Sequence, residues 1–364
     1  MNAKSSHHGG SQRLATIFLT NQCNLDCPYC YAIENTFLPG EEWTPSVIRP
    51  LLDHLGARGY RISIGGGEPL TRPALMLEVV REAVRRDMGV SLLTNGYLLD
   101  EALLKEIHKA GINWVQISAD SADEVEHFAP LLSAGKALGM RMAVGTVLMP
   151  QRLGEVRGMH RILQESGAVG WRILRYTPLN EGPMAAQAPT NQAWIEMLLE
   201  VEEALRPFKG PVQVRYEPGV VPLTWLKAQP IEDRLDVCGG RTARRLFLYP
   251  DGEAFACGLP RQKGIALGNF KSDWDEFQRA LEEVPEENCR FPELSSQKSS
   301  YCRQVCRGGC LQMRGDRACD PRCEIDKNLV PVCCFEKLLL SPGERSIGTV
   351  TYPSALYQDV VGAI

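Results

Sequence analysis

The chain has 364 residues, 44% of them hydrophobic, enough to bury a substantial core and to form two domains. Its 40 basic and 44 acidic side chains leave a formal charge of −4, so nothing in the charge balance favours nucleic acid or an anionic membrane as a partner. No stretch approaches the roughly 18 apolar residues of a membrane span. Met1 to Gln12 is polar, lacks the apolar centre of a secretory signal, and carries His7-His8 as part of a flexible start rather than a metal site. Thirteen cysteines, an odd number without a signal, point away from disulfides and toward metal or redox chemistry in a reducing cytoplasm.

From Thr16 to about Tyr176, short apolar runs alternate with amphipathic helical patterns. Strands are predicted at Thr16–Thr20, Arg61–Ile64, Val90–Thr94, Trp114–Ser118, Arg141–Leu148 and Gly170–Leu174. Helices are predicted near Pro45–Ala57, Pro73–Asp87, Asp100–Ala110, Ala122–Gly139 and Glu155–Ser166, with Pro45 and Pro73 in first turns. Gly111, Gly139 and Gly167 stand where helices should end. Six β-α repeats imply parallel strands joined by right-handed crossovers, an α/β fold closing as a partial (β/α)6 barrel over residues 13–208. A sixth helix is predicted from Gln192 to about Arg206. Residues 209–234, rich in Pro and Gly near their start, read as a bridge. Residues 235–335 hold ten cysteines with little periodicity, so bound metal is expected to organise them, and 336–364 form a tail without a motif.

After the first strand comes Asn21-Gln22-Cys23-Asn24-Leu25-Asp26-Cys27-Pro28-Tyr29-Cys30-Tyr31. Three thiolates within eight residues can wrap one face of a cuboidal iron–sulfur cluster and leave its fourth iron open. Structural zinc is the competing reading, but it needs four closed ligands and no fourth Cys or His lies nearby. The second strand is followed by Gly65-Gly66-Gly67-Glu68-Pro69, at the carboxyl end of a parallel strand, where ligands gather. Glycines there let the backbone approach a ligand closely.

The Cys-x3-Cys-x2-Cys loop, with an aromatic before its third cysteine and Gly-Gly-Glu-Pro one β-α unit later, resembles the radical S-adenosylmethionine (radical SAM) superfamily. The resemblance implies a 4Fe–4S cluster on Cys23, Cys27 and Cys30, with S-adenosylmethionine on the open iron. Electron transfer then gives methionine and a 5′-deoxyadenosyl radical that abstracts hydrogen from substrate. It also implies that Gly66, Gly67 and Glu68 seat the methionine amino group. Ser118 and Arg175, at strand ends, are expected to meet the ribose and the methionine carboxylate, against plain helix capping and solvated charge. Tyr29 is expected either to stack near the adenine or to pack the loop.

Further on stand Cys238, Gly252, Cys257, Cys289, Cys302, Cys306-Arg-Gly-Gly-Cys310, Cys319, Cys323 and Cys333-Cys334. This is similar to the SPASM extension, a domain carrying auxiliary iron–sulfur clusters in many radical SAM enzymes. Cys238-x13-Gly252-x4-Cys257 fits its first section and Cys306-x3-Cys310 the end of its second. The chain departs from the pattern at Gln297 and Ser300, where cysteines belong. The resemblance implies an inner auxiliary cluster on Cys238, Cys257 and Cys310. It implies an outer one on Cys289, Cys302, Cys306 and either Cys333 or Cys334, with Cys319 and Cys323 surplus or substituting. Two auxiliary clusters, one cluster, and zinc all remain open on these spacings.

Family members of this kind modify peptides or proteins by crosslinking, epimerisation or oxidation, or alter sugars in antibiotic pathways. A peptide or protein side chain is the substrate expected here, and a carbohydrate-like metabolite is the alternative. About fifteen residues before the barrel are too few for a leader-binding domain, so a separate leader-binding protein is the partner expected for a peptide substrate. An external electron donor such as flavodoxin or ferredoxin is implied as well. A non-enzymatic iron–sulfur sensor is the reading of another class, and Gly-Gly-Glu-Pro argues against it because a sensor needs no cofactor seat.

Overall fold

The computed structural model describes residues 13–30, 32, 36–37, 41–178, 184–228, 243–258, 265–282, 322–332, 338–341 and 350–361. Six strands alternate with helices: β1 (Leu14–Phe18), α1 (Pro45–Ala57), β2 (Arg61–Gly65), α2 (Pro73–Val84), β3 (Val90–Thr94), α3 (Glu101–Ala110), β4 (Trp114–Ser118), α4 (Ala122–Ala137), β5 (Arg141–Leu148), α5 (Val156–Ser166), β6 (Gly170–Arg175) and α6 (Asn191–Leu205). Pro45 and Pro73 open α1 and α2, where a missing N–H costs nothing. Asp100 and Ser121 cap α3 and α4 by accepting from the backbone N–H groups of Leu103 and Glu124.

The bridge does more than connect. Residues 213–216 form β7 (Gln213–Tyr216), which pairs parallel with β6 and extends the repeat by one strand. β8 (Val220–Pro222) and the short α7 (Leu223–Ala228) follow. Beyond them β9 (Arg245–Leu248) pairs parallel with the free edge of β1, and the hairpin strand β10 (Glu253–Phe255) and β11 (Ala266–Asn269) add antiparallel strands outside it. This part of the cysteine-rich segment is thus built onto the main sheet. α8 (Trp274–Glu282) follows, and β12 (Leu329–Pro331) pairs with β8. In the tail, β13 (Leu338–Ser341) closes the other edge antiparallel to β7. The Tyr216 hydroxyl donates to the Thr351 carbonyl at 2.8 Å, and Tyr357 is fully buried. The tail is therefore part of the core.

Among the described residues the sheet has eleven strands, ordered β11-β10-β9-β1-β2-β3-β4-β5-β6-β7-β13. It curves strongly: Arg172 on β6 and Arg245 on β9 have five strands between them, yet each lies within the other's electrostatic reach. Alternation along the strands separates two faces. Val115, Ile117, Met142, Val144, Trp171 and Ile173 are fully buried, with Met142 against α4 and Trp171 beside His160 of α5. Trp114, Gln116, Arg141 and Arg172 occupy the intervening, concave positions. Among the described residues no helix is long and apolar enough to cross a membrane.

Candidate active site

The cysteine loop leaves the carboxyl end of β1 and crosses the mouth of the sheet. Its root is held first: the Phe18 carbonyl accepts from the Trp43 indole at 2.9 Å, and Asn21 exchanges side-chain hydrogen bonds with the backbone of Phe37. Next, the carbonyls of Thr20 and Gln22 accept from the N–H groups of Gly67 (2.8 Å) and Glu68 (2.7 Å). Asn24 Oδ1 then accepts from Asn95 Nδ2 at 2.9 Å, and the Tyr29 hydroxyl donates to the Asp120 carboxylate. The loop is tied in sequence to the ends of β2, β3 and β4. Gly67 and Glu68 make the tie after β2, Asn95 the one after β3 and Asp120 the one after β4.

The glycines are used differently from the expectation that they leave room for a ligand. A Cβ on Gly66 would stand 2.9 Å from the Thr20 carbonyl oxygen, and the residue has φ +122°. A Cβ on Gly67 would stand 2.3 Å from the Gln22 carbonyl oxygen. Both absences of a side chain are taken up by the cysteine loop itself. A larger residue would push the loop before it met any ligand.

Glu68 is 1% exposed. Its carboxylate accepts from Leu70 N (2.9 Å), Thr94 Oγ1 (2.8 Å) and Asn95 N (2.7 Å), which locks the end of β3 against the glycine segment. Burial pushes its carboxyl above the ordinary range against those three donors. The side chain holds strand ends in place, and its backbone is what faces the cysteine loop.

Tyr29 packs the loop: its hydroxyl is engaged by Asp120, and its ring meets Tyr176 edge-on at 6.4 Å. Asp120 also accepts from Val147 N at 2.7 Å, and burial pushes its carboxyl up. Ser118 stands exposed at the carboxyl end of β4, on the concave face. Arg175 departs from its expectation. Parity puts it on the side of β6 shared with Trp171 and Ile173, and its guanidinium donates to Asn191 Oδ1 (3.0 Å) and the Pro189 carbonyl (2.7 Å). Asn191 in turn donates to the Arg322 carbonyl and Glu324, so Arg175 ties β6 to the segment around Cys323 rather than to the mouth.

The donor chemistry of the loop fits an iron–sulfur cluster. Cys23 is exposed, Cys27 and Cys30 half-buried, and none is bridged. Burial, then the nearby thiols of Cys30 and Cys23, push the Cys27 thiol up to about 11. Neighbouring thiolates of this kind call for cationic iron to hold them deprotonated. Among the described residues no three Cys, His, Asp or Glu side chains converge on one point, and a cuboidal cluster does not ask for it, since each thiolate takes its own iron.

In the second field, Gly252 has φ +93° in the turn between β9 and β10, and Cys257 follows β10 half-buried. Cys323 is half-buried beside Arg322. Cys238, Cys289, Cys302, Cys306, Cys310, Cys319, Cys333 and Cys334 lie outside the described residues. Motif reading passed over Arg172 and Gln116 on the concave face. Their signal was a polar residue set between fully buried apolar ones on a strand.

The radical SAM superfamily profile matches residues 17–141. The chain is 28% identical over 344 residues to the PqqA peptide cyclase of Granulibacter bethesdensis, covering 84% of this chain and 86% of that one. It is 28% identical over 327 residues to the AdoMet-dependent heme synthase of Methanosarcina barkeri, covering 81% and 90%. Among solved structures, SuiB of Streptococcus suis shares the fold with a TM-score of 0.66 at 14% identity, covering 86% of this chain and 77% of that one. The cysteine loop, the glycine segment and the β-α units that join them all lie inside residues 17–141, the span matched by the radical SAM superfamily, whose cofactors are S-adenosylmethionine and a 4Fe–4S cluster.

Proposed function

We propose that this chain modifies a peptide or protein side chain by radical chemistry, with its catalytic cluster on Cys23, Cys27 and Cys30 and auxiliary clusters in its C-terminal half. One observation carries the reading: the three-cysteine loop is tied across the ends of β2, β3 and β4, over the mouth of a parallel sheet. When bound, cluster and S-adenosylmethionine supply a 5′-deoxyadenosyl radical that takes hydrogen from the substrate. The chain's own residues then position. Gly66 and Gly67 admit the loop, Glu68 fixes the end of β3, and Tyr29 with Asp120 fixes the far side of the loop. Ser118 offers a hydroxyl at the rim for the cofactor's polar groups, together with the backbone of Gly66 to Glu68.

A peptide substrate is supported by the relative named as a peptide cyclase and by SuiB, whose fold this chain shares and which has been solved bound to its precursor peptide SuiA. The heme synthase, equally identical to this chain, favours a small-molecule substrate as the second reading, of which a carbohydrate-like metabolite is one form. A ferredoxin or flavodoxin in a reducing cytoplasm would supply the electron, and a separate protein would hold any leader peptide. Cys238, Cys257 and Cys310 are proposed for an inner auxiliary cluster, in a SPASM-like region whose Gly252 turn sets Cys257 after β10. Cys289, Cys302, Cys306 and Cys333 are proposed for an outer one. Such clusters accept an electron from a substrate radical at potentials set by ligation and surroundings.

The test is isotopic. Short peptides encoded by any open reading frames that flank the gene are deuterated and given to anaerobically reconstituted, reduced enzyme with S-adenosylmethionine. Deuterium in 5′-deoxyadenosine is expected. Abundant 5′-deoxyadenosine that draws deuterium only from a small molecule would overturn the peptide reading. Iron and sulfide counting on the same sample is expected to give about twelve irons for three cubanes, and about eight would leave one auxiliary cluster.

A further inference from the structure

The concave face carries a charge that hydrogen abstraction does not use. Arg172 stands on β6 in register with Gly145 of β5 and Arg215 of β7. Ser118 of β4 is the next register partner beyond Gly145, two strands or about 10 Å from Arg172, whose side chain reaches from that register line back toward the start of β4. Its guanidinium lies over the Trp114 ring at 6.0 Å, and Arg141 stands over the same ring at 4.7 Å. The other charges reaching it belong to Arg215 and Arg245, both positive. Burial and those two neighbours push Arg172 down to about 10. Among the described residues no carboxylate pairs with it, and the concave positions of β4 to β7 hold no Asp or Glu.

Arg172 is half-buried, and a guanidinium drawn even partly out of water is ordinarily paired, because full desolvation costs several kcal/mol. A ring face returns only about 0.5–2 kcal/mol. Beside it, Gln116 Oε1 is buried with no hydrogen-bond partner. The Gln116 amide nitrogen lies 2.6 Å from where a Cβ of Gly145 would be, so the amide fills the gap next to the register partner of Arg172. A cation with no carboxylate partner among the described residues and an acceptor lacking a donor thus stand on the concave face, two strands apart. Their complement is a carboxylate with an N–H beside it.

We infer that Arg172 and Gln116 form a binding site for a carboxylate group of the substrate, Arg172 meeting the carboxylate and Gln116 the adjoining N–H. The inference rests on reading the mouth of the sheet as the substrate chamber. It narrows the substrate to one that carries an acidic side chain or a carboxyl terminus into the sheet.

The probe is N-acetylglycine, which has both groups, with neutral N-acetylglycinamide as control. Reconstituted wild type, Arg172→Met and Gln116→Leu are titrated at constant ionic strength, and the thermal unfolding midpoint is followed. The wild-type midpoint is expected to rise with N-acetylglycine and not with the amide. Arg172→Met is expected to weaken the apparent affinity at least about tenfold, as for loss of a charge-assisted hydrogen bond, and Gln116→Leu less. Without ligand, Arg172→Met should melt at or above wild type, since it removes a charge with no counter-ion; a lower midpoint would mark Arg172 as structural and overturn the site. An undiminished response in Arg172→Met, or an equal response of wild type to the amide, would overturn it as well. Wild-type formation of 5′-deoxyadenosine is measured alongside: its absence would remove the radical reading, and the titration would still decide the carboxylate site.

Discussion

Trp171 and Arg172 are consecutive on β6 and lie on opposite faces of the sheet. Trp171 is fully buried beside His160, and its indole donates to Thr146 Oγ1 at 2.9 Å. Arg172 sits among other arginines over the Trp114 ring. The same division holds on β4, where Val115 and Ile117 are fully buried and Gln116 and Ser118 point into the concave side. One face spends its residues on burial, at about 25 cal/mol for each Å² of apolar surface. The other gives up that gain to keep polar groups near the mouth. Stability and chemistry are therefore separated by the two-residue period of the same strands, and a substitution on one face should leave the other's property intact.

Gly67→Val should have the largest effect. Its side chain would enter the Gln22 carbonyl, whose distance from a Cβ is already only 2.3 Å, and displace the cysteine loop from its register. Loss of the first cluster's iron and of 5′-deoxyadenosine formation is expected, with the far-ultraviolet circular dichroism unchanged. Full iron content in this variant would show that the glycine contact does not hold the loop. On the opposite face, Trp171→Ala should cost about 3–5 kcal/mol in urea unfolding, the range for emptying an aromatic site in a core. The folded fraction should still cleave S-adenosylmethionine at the wild-type rate, and a matching loss of cleavage would erase the distinction between the faces.

The third effect is smaller and depends on pH. Burial pushes His160 down to about 4 from an ordinary 6.5. Above pH 6.5 the ring is neutral in the folded and unfolded chain alike, so it costs nothing there. As pH falls from 6.5 toward 4 the unfolded chain takes up a proton that the folded chain refuses, and stability drops. At pH 5 the cost is about 1–2 kcal/mol. His160→Leu should remove that part of the loss between pH 7 and pH 5, read as a smaller shift of the urea midpoint. An identical shift in both proteins would mean that the helix-covered face admits the proton.

Much of this arrangement was legible in the residues. β2 to β6 fall within one residue of the runs that predict them, because their alternation and flanking caps are local. β1 begins at Leu14, two residues before Thr16, and its end is set by the departure of the cysteine loop. β7 was hidden because Gly210-Pro211 and Pro218-Gly219 surround only four residues, Gln213–Tyr216, and their turn chemistry dominates the window. β9 was out of reach for another reason. Its partner is β1, with Leu14 opposite Arg245, and no local pattern announces a pairing across 231 positions (245 minus 14). At the site, the two motifs located the loop and the glycines that meet it. Arg175 and Arg172 show what motif reading left out: strand parity sends the first to Asn191 and the second to the concave face.

The most direct test is the triple replacement of Cys23, Cys27 and Cys30 by Ala in the full chain. The protein is reconstituted anaerobically, reduced with dithionite, and supplied with S-adenosylmethionine. The account predicts about four fewer irons per chain than wild type and no 5′-deoxyadenosine, with the remaining iron kept by the C-terminal cysteines. 5′-Deoxyadenosine at the wild-type rate would contradict it.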